Sequence, residues 1–228
     1  MLLALDTATP AGSVAVYESD RILSVRTFDA AREHSRRLFG EIDGALADAD
    51  RERSQIRAVA VTTGPGSFTG LRIGLSAAKG LCMGLGARLI PLSTLEVLAA
   101  RLPFCQTPVC ALLDARREEV YGAVYDTSNG VPRELHPPCA GEPEQLLARW
   151  GLQDVLFTGD GAQRWSEVLS NVPGANFAPP SVCRPCAAAA AWLASRCAPA
   201  EDADPAHVEP VYIRTPSFAP AAALGRSP

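Results

Sequence analysis

The first hundred residues alternate between short apolar runs and amphipathic segments. Apolar or β-branched runs predict five strands, at 2–5, 13–17, 21–28, 57–63 and 88–92. Turn-forming residues separate the first three strands, which favours an antiparallel meander. Apolar residues at helical spacing predict a helix at 34–49, and two later segments predict helices at 71–85 and 93–101. The predicted order of elements is therefore βββαβαβα.

A second series of elements follows a break at 102–108 and begins like the first. Its first strand, 109–113, ends in Asp114, much as strand 2–5 ends in Asp6. A strand, a helix and a further strand follow, at 120–125, 143–150 and 155–158. Two βββαβα units of this kind are the pattern of the duplicated fold shared by actin, sugar kinases and the Hsp70 ATPase domain. We therefore expect an α/β protein of this ASKHA, ribonuclease H-like class, with mixed five-stranded sheets.

The composition indicates a globular chain, because 47% of its 228 residues are hydrophobic and only 20% are charged. We expect a first domain at 1–102 and a shortened second domain at 103–228. The residues from Pro216 onward, rich in proline and alanine, are expected to be loose. There is no apolar segment long enough to span a bilayer and no signal sequence, so we expect no membrane association and a cytoplasmic location.

Charge and cysteine content exclude two other classes of protein. A formal net charge of −4 argues against autonomous nucleic-acid binding, since neutralising phosphates requires a clustered basic surface. Seven scattered cysteines indicate reduced thiols rather than a disulfide framework. Cys183 and Cys186 have C-x-x-C spacing, which leaves open both packing at a helix start and zinc or redox chemistry.

The most specific local signal is the glycine-rich loop at 64–70, which connects a strand to a helix and reads GPGSFTG. Its glycines allow close backbone approach, and Ser67 or Thr69 can cap the helix, whose first N–H groups could face an anion. No Lys-Ser/Thr pair follows Gly70, so the loop is not a Walker A motif. A structural turn and a phosphate site both remain open.

Asp6 has a similar ambiguity. An aspartate after the first strand helps to hold magnesium in ATP-using proteins of this fold, but it is also an ordinary turn residue. The weak candidates for cofactor binding are therefore Asp6, Gly64, Gly66, Ser67 and Gly70.

Four segments together resemble the TsaB family, formerly described as glycoprotease-like. They are LALDTAT at 3–9, HSRRL at 34–38, GPGSFTGLR at 64–72 and PLSTLE at 91–96, in the family's order and at about its spacing. Beyond residue 100 the resemblance is limited mainly to LDAR at 113–116, EVY at 119–121 and PVYIR at 210–214.

The resemblance implies a role in making N6-threonylcarbamoyladenosine next to the anticodon of tRNA. In that system a related subunit, TsaD, transfers the threonylcarbamoyl group, TsaE is an accessory ATPase, and TsaB pairs with TsaD as a non-catalytic partner. We therefore expect no catalytic residue in this chain and no cofactor of its own, although the complex uses ATP and magnesium. A homodimer is expected as an alternative pairing, and tRNA contact only through the complex.

Catalytic relatives carry a metal-binding His-x-x-x-His in the helix after the fifth strand, since two imidazoles one turn apart can hold one ion. Thr94 and Leu98 stand at those positions here, so we expect no metal site. The histidines His34, His136 and His207 are far apart, and no recognisable peptidase motif is present.

The resemblance places the partner surface on the first two predicted helices, through which the family pairs in a four-helix arrangement. Five glycines at 70–86 make the second of these helices costly on its own, and close helix–helix approach would offset that cost. Packing against the domain's own sheet is the alternative. The candidate partner residues are His34, Leu38, Ile42, Gly70, Ile73, Gly74, Ala77 and Leu81.

Two other functions remain open. An ATP-dependent phosphotransferase of the same fold would bind nucleotide near Asp6, the Gly64 loop and Gly159-Asp160-Gly161. A peptidase acting on TsaD would follow the older family description.

Charged substitutions test the predicted partner surface. Leu38→Glu or Ile73→Glu is expected to break subunit pairing while the monomer stays folded, because a charge in a desolvated helix seam is costly. Size-exclusion chromatography would measure the pairing, and unchanged pairing of a folded variant would remove this surface from consideration.

Overall fold

The computed structural model describes residues 1–29, 34–196 and 204–213, with the backbone alone at 34–36. The first half contains β1 (Leu2–Asp6), β2 (Ala11–Glu18), β3 (Arg21–Asp29), α1 (His34–Asp48), β4 (Ala58–Gly64), α2 (Phe68–Leu85), β5 (Arg88–Ser93) and α3 (Thr94–Ala99). The second half contains β6 (Val109–Arg116), β7 (Glu119–Asp126), β8 (Arg133–Gly141), α4 (Pro143–Trp150), β9 (Leu156–Thr158), α5 (Asp160–Arg164), α6 (Ser166–Leu169), β10 (Asn176–Phe177) and α7 (Ala187–Arg196). Short 3-10 helices lie at Arg53–Gln55, Pro180–Val182 and Pro205–His207. The predicted βββαβαβα order of the first half is confirmed. The tail expected to be loose from Pro216 lies outside the described residues.

Each half is built on a mixed five-stranded sheet. The strand orders are β3-β2-β1-β4-β5 and β10-β9-β6-β7-β8. β1 pairs antiparallel with β2 and parallel with β4, and β6 pairs in the same way with β7 and β9. The two sheets therefore share one connectivity, which confirms the predicted duplicated fold of the actin/sugar-kinase/Hsp70-like class.

The central position of β1 explains its uniformly apolar sequence. Every residue of this strand is buried, because helices cover both faces of the sheet. Leu3 and Leu5 face a core that also contains the inward residues of α1 and α2. Leu2 and Ala4 face the opposite core, which includes residues of α7. One strand thus joins two hydrophobic layers.

Helix α7 departs from the division of the chain at residue 102. Although it follows the second sheet in sequence, its alanines pack on the first sheet, together with Leu2 and Ala4. The Ala187 amide donates to the Ser13 Oγ of β2 at 2.8 Å, which satisfies a donor at the start of the helix. The chain therefore returns to the first half after completing the second.

The segment Asp204–Ile213 also returns to the first half. The Val211 amide donates to the Thr63 carbonyl at 2.8 Å, beside the end of β4. Lys79 Nζ of α2 donates to the Ala206 carbonyl at 3.2 Å. We call this segment the C-terminal strap. It lies against the β4–α2 loop and one flank of α2.

None of the helices in the described ranges combines the length and the apolar character that a membrane crossing requires.

The Ser13–Ala187 contact gives a test of the packing of α7. Ser13→Ala is expected to lower the free energy of unfolding by about 1–3 kcal/mol, because it leaves a buried N–H without a partner. Urea unfolding measures this change. Ser170→Ala, an exposed serine bonded within its own helix turn, serves as the control and should stay within about 0.5 kcal/mol of the parent. Equal effects of the two substitutions would contradict the assigned role of Ser13.

Candidate functional site

A cleft of about 640 Å³ lies between the two halves, where strand ends of both sheets meet. The first half contributes the turn after β1 and the start of α2. The second half contributes the end of β6, Tyr121 of β7 and the start of α5. The lining residues are Ala8, Thr9, Pro10, Gly66, Ser67, Phe68, Thr69, Leu113, Asp114, Ala115, Arg116, Tyr121 and Asp160. The structure thus brings two of the predicted cofactor candidates, Gly66 and Ser67, to the cleft wall.

The β4–α2 loop is fastened to the turn after β1. The Ser67 amide donates to the Ala8 carbonyl at 2.7 Å, and Thr7 Oγ1 donates to the Gly70 carbonyl at 2.8 Å. Gly66 has a φ of +156° and sits so close that a Cβ there would collide with the Ala8 carbonyl oxygen. The glycines therefore permit close contact between two backbone segments.

Few donors of this loop are left for an anion. Pro65 has no N–H, the Ser67 amide is bonded to Ala8, and the Gly70 amide donates to the Ser67 Oγ at 3.3 Å as a helix cap. A Cβ at Gly64 would collide with the carbonyl oxygen of Val211, so the strap covers that side of the loop. These contacts favour the structural turn over a phosphate site.

Asp6 is buried beneath the same turn. It has no exposed area and is not among the residues that line the cleft. Its Oδ1 accepts from Thr62 Oγ1 at 2.8 Å and from the Ala8 amide at 3.2 Å, whereas its Oδ2 has no partner among the described residues. Burial raises the pKa of Asp6 from 3.8 to about 6, and the two hydrogen bonds oppose that shift.

The two acidic residues that the second half contributes to the cleft, Asp114 and Asp160, are bonded to groups of the same half. Arg164 Nη1 donates to both carboxylate oxygens of Asp114, at 2.8 and 2.9 Å. The Asp160 carboxylate accepts from the Asp114 amide at 3.0 Å. Burial raises the pKa of Asp160, and the nearby Asp114 carboxylate acts in the same direction. Within the predicted segment Gly159-Asp160-Gly161, the Asp160 carboxylate is therefore bonded to the backbone of β6.

The residues at the cleft do not fit a nucleoside triphosphate with magnesium. Asp6 is enclosed, Asp114 is paired with Arg164, and the Ser67 and Gly70 amides bond to protein. The single lysine, Lys79, contacts the strap along α2 rather than the cleft. We therefore derive no phosphoryl transfer step from this arrangement.

The two positions at which catalytic relatives are expected to carry metal-binding histidines are enclosed. Thr94 and Leu98 of α3 have no exposed area. Across the described ranges, no three His, Cys, Asp or Glu side chains cluster in a way that would hold a metal ion. Cys183 is buried and directs its thiol to the carbonyls of Ala178 and Pro179, at 3.4 Å each. This contact favours packing before α7 over redox or zinc chemistry for the C-x-x-C pair.

Most predicted partner residues lie in the core of the first half. Leu38 and Ile42 have no exposed area, and Ala77 and Leu81 are at most 8% exposed. Gly70 and Gly74 are also buried, and Gly74 faces Thr7 so closely that a Cβ would collide with its hydroxyl. The apolar stripe of each helix thus packs on the chain's own sheet. Only Ile73 is partly exposed, and the side chain of His34 lies outside the described residues.

This burial corrects the expectation for Leu38→Glu. A carboxylate at a fully buried position on α1 would unfold the monomer, because its desolvation is not compensated. Loss of pairing in that variant would therefore say nothing about a partner surface. A test of the partner surface must therefore change residues that are exposed in the folded monomer.

The exposed side of α1 and α2 forms what we call the outer face. It consists of Phe39, Gly40, Asp43 and Ala47 of α1 and of Thr69, Arg72, Ser76, Gly80, Met83 and Gly84 of α2. Met83 is 75% exposed and Phe39 is 44% exposed, so this face presents two large apolar side chains to solvent. A Cβ built at Gly40, Gly80 or Gly84 meets no atom within 4 Å. The backbone of both helices is therefore open to close approach.

None of the predicted partner residues belongs to the outer face, although the sequence carries two signals for this face. Phe39 lies off the main apolar stripe of α1, and Gly80 and Gly84 follow Ser76 at four-residue intervals. A stripe of small residues that lies apart from the buried stripe indicates a second contact surface. The buried stripe has the stronger helical periodicity, and most of the predicted partner residues therefore lie on it.

Comparisons with known proteins agree with this architecture. A family model described as TsaD, tRNA N6-adenosine threonylcarbamoyltransferase, matches residues 27–198. The tRNA threonylcarbamoyladenosine biosynthesis protein TsaB of Escherichia coli is 33% identical to this chain, over an alignment that covers 93% of this chain and 94% of the E. coli protein. The protein of the same name from Bacillus subtilis is 28% identical, with 76% of each chain covered. A Pseudomonas aeruginosa crystal structure, described as similar to peptidase YEAZ, has a TM-score of 0.83, 32% identity and coverage of 93% and 99%.

Fold and cleft together define a duplicated protein of the actin/sugar-kinase class whose cleft residues do not fit a nucleoside triphosphate with magnesium. The relatives narrow this class further. The chain belongs to the TsaB family, within the broader group that the threonylcarbamoyltransferase model describes.

The buried carboxyl group of Asp6 gives a pH-dependent prediction. Between pH 4 and 6 the folded chain keeps a proton on Asp6 that the unfolded chain has released, so stability falls as the pH rises through this range. Asp6→Asn removes the titration and keeps an oxygen acceptor for Thr62. Its free energy of unfolding, relative to the parent, is expected to rise by about 2–3 kcal/mol from pH 4 to pH 7.

Urea unfolding at several pH values measures this difference. Asp50→Asn is the matched control, because Asp50 is exposed and has a φ of 53°, a conformation that asparagine tolerates. Parallel pH profiles for Asp6→Asn and the parent would show that Asp6 is not the buried titrating group.

Proposed function

We propose that this chain is a non-catalytic partner subunit in the synthesis of N6-threonylcarbamoyladenosine in tRNA, and that it pairs with a TsaD-type catalytic subunit. The names of its relatives supply the pathway. The outer face of α1 and α2 is the observation that carries the pairing role. It presents large apolar side chains and bare helix backbone to solvent.

The composition of the outer face suits a helix partner. Gly80 and Gly84 each cost α2 about 1 kcal/mol relative to alanine, and neither contacts another part of the chain through its Cβ position. Ser76, Gly80 and Gly84 repeat at four-residue spacing, which aligns small residues along one side of the helix. A second pair of helices packed there would approach closely and cover Met83 and Phe39. Burial of these surfaces would offset the cost of the glycines.

The non-catalytic part of the proposal rests on how the cleft groups are used. Asp114 is paired with Arg164, Ser67 and Gly70 direct their amides to protein acceptors, and Asp6 is enclosed. Reacting groups need free donors, acceptors or nucleophiles aimed at a substrate. Threonylcarbamoyl transfer is accordingly assigned to the partner, and ATP and magnesium are assigned to the complex as a whole.

Other contacts in the complex follow from the same assignment. The net charge of −4 favours tRNA contact through the partner rather than through this chain. A TsaE-type ATPase would join the complex of the two subunits. In the absence of the partner, a second copy of this chain would cover the outer face as a homodimer, since the same apolar surface is then free.

Reconstitution tests the proposed function directly. Purified TsaD-type and TsaE-type subunits, the enzyme that makes the threonylcarbamoyl donor, tRNA, threonine, bicarbonate and ATP are combined with and without this chain. Modified adenosine is measured by nucleoside mass spectrometry. The expected result is product only when the chain is present, and none from the chain alone. Undiminished product after its omission would overturn the proposal.

A glycine substitution tests the surface. Gly80→Leu is expected to weaken binding of the TsaD-type subunit at least about tenfold, since a branched side chain would separate helices that otherwise approach closely. The monomer should remain folded, because the added side chain meets no atom and leucine favours helix. Ala148→Leu on exposed α4 is the control and should bind normally. Isothermal titration calorimetry measures both, and equal affinities would exclude this surface.

A further inference from the structure

Arg72 on the outer face is held in one orientation by two aromatic rings. Its guanidinium carbon lies 3.8 Å from the centre of the Phe68 ring, one helical turn earlier. Its Nε donates to the Tyr212 hydroxyl at 3.0 Å. The Phe68 and Tyr212 rings are themselves 5.1 Å apart. An exposed arginine normally samples many rotamers, so these contacts remove much of its conformational entropy in advance.

The ring of Tyr212 comes from a distant part of the chain. It lies 140 residues after Arg72 and is carried by the C-terminal strap. The neighbouring Val211 amide anchors the strap to Thr63, and Lys79 holds its other end at Ala206. Two fixed points therefore position the hydroxyl that receives the Arg72 Nε–H.

The arrangement leaves one side of the guanidinium free. Nε is bonded to Tyr212 and one flat face is covered by Phe68, so the Nη1 and Nη2 groups remain as a fork. No carboxylate within the described ranges pairs with Arg72, whereas Arg26 is paired with two, and Arg53 and Arg164 with one each. A planar fork of this kind matches the two oxygens of a carboxylate.

We propose that Arg72 is a specificity-determining residue of the subunit interface, which binds an aspartate or glutamate side chain of the TsaD-type subunit end-on through Nη1 and Nη2. This inference rests on the proposed function. Arg72 borders Ser76 on the outer face, so a partner seated on the small residues of α2 reaches the fork. Because the side chain is already ordered, little entropy is lost when the carboxylate binds. Arginine is one of the residue types enriched among those that dominate interface energy.

A protein carboxylate fits this site better than an RNA phosphate. Phosphate binding requires several basic groups on one surface, but the outer face also presents Asp43 and apolar Met83 and Phe39. At an interface lined by these acidic and apolar side chains, Arg72 would pair with a single acidic side chain of the partner, which becomes buried when the subunits assemble. Exclusion of water by the surrounding apolar side chains would then strengthen the pair.

Two conservative substitutions test the contribution of the oriented Nη1 and Nη2 fork while the positive charge is kept. Arg72→Lys keeps the positive charge but loses the planar fork, and is expected to raise the Kd for the TsaD-type subunit about tenfold or more. Tyr212→Phe keeps the ring and removes only the hydroxyl that orients Nε, and is expected to raise the Kd about threefold. Arg88→Lys, an exposed arginine at the opposite end of the sheet, is the control and should leave the Kd unchanged. Calorimetric titration measures all three, with thermal unfolding to confirm that each variant is folded.

A double-mutant cycle identifies the acidic partner. Exposed aspartates and glutamates of the TsaD-type subunit are changed to alanine one at a time and titrated against the parent chain and Arg72→Lys. One substitution is expected to lose affinity with the parent but not with Arg72→Lys, which shows that the two groups interact. Additive effects for every acid, or loss of affinity only when tRNA is present, would overturn the inference.

The outcomes also distinguish this inference from the proposed function. If Gly80→Leu prevents pairing while Arg72→Lys binds as the parent does, the surface is correct and the role of Arg72 is wrong. If the parent chain does not bind the TsaD-type subunit, the proposed function and this inference both fail.

Discussion

The contact between the β4–α2 loop and the turn after β1 fixes the arrangement of the first half. Ser67 donates to the Ala8 carbonyl, Thr7 donates to the Gly70 carbonyl, and Gly66 and Gly74 have no side chain that would separate these segments. This contact sets the point at which α2 leaves the sheet. Its direction in turn decides which residues of α2 enter the core and which form the outer face. The glycine-rich motif is therefore important for geometry, even though few of its amides are left for a phosphate.

The predictable part of the fold was the part encoded by local periodicity. β1, β4 and the helices α1 and α2 were predicted within a few residues, because their apolar runs and helical spacing are continuous. The return of α7 to the first sheet was not predicted. Its alanine-rich sequence indicates a helix that packs closely but carries no information about which sheet it covers, and the decisive Ser13–Ala187 hydrogen bond joins residues 174 positions apart.

The candidate site shows the same limit at the level of single residues. Leu38 and Ile42 were correctly recognised as an apolar stripe, but a stripe that faces the chain's own sheet has the same pattern as one that faces a partner. Asp6 was likewise identified as a strand-end aspartate with two interpretations. Only the three-dimensional arrangement shows that Ala8 and Thr62 enclose it and that it does not line the cleft. The supporting role of Tyr212 depends on a contact too distant in sequence for any local pattern to reveal.

The C-terminal strap has a consequence for the order in which the protein matures on the ribosome. Domains generally fold as units during synthesis, the N-terminal one first. Here α7 and Tyr212 belong physically to the first half but are translated after the entire second sheet. A nascent chain that stops before the strap presents α2 with an unsupported Arg72 and an uncovered Gly64 loop. The first half thus reaches its final form only after translation has passed Tyr212, which delays the mature surface until both sheets have been made.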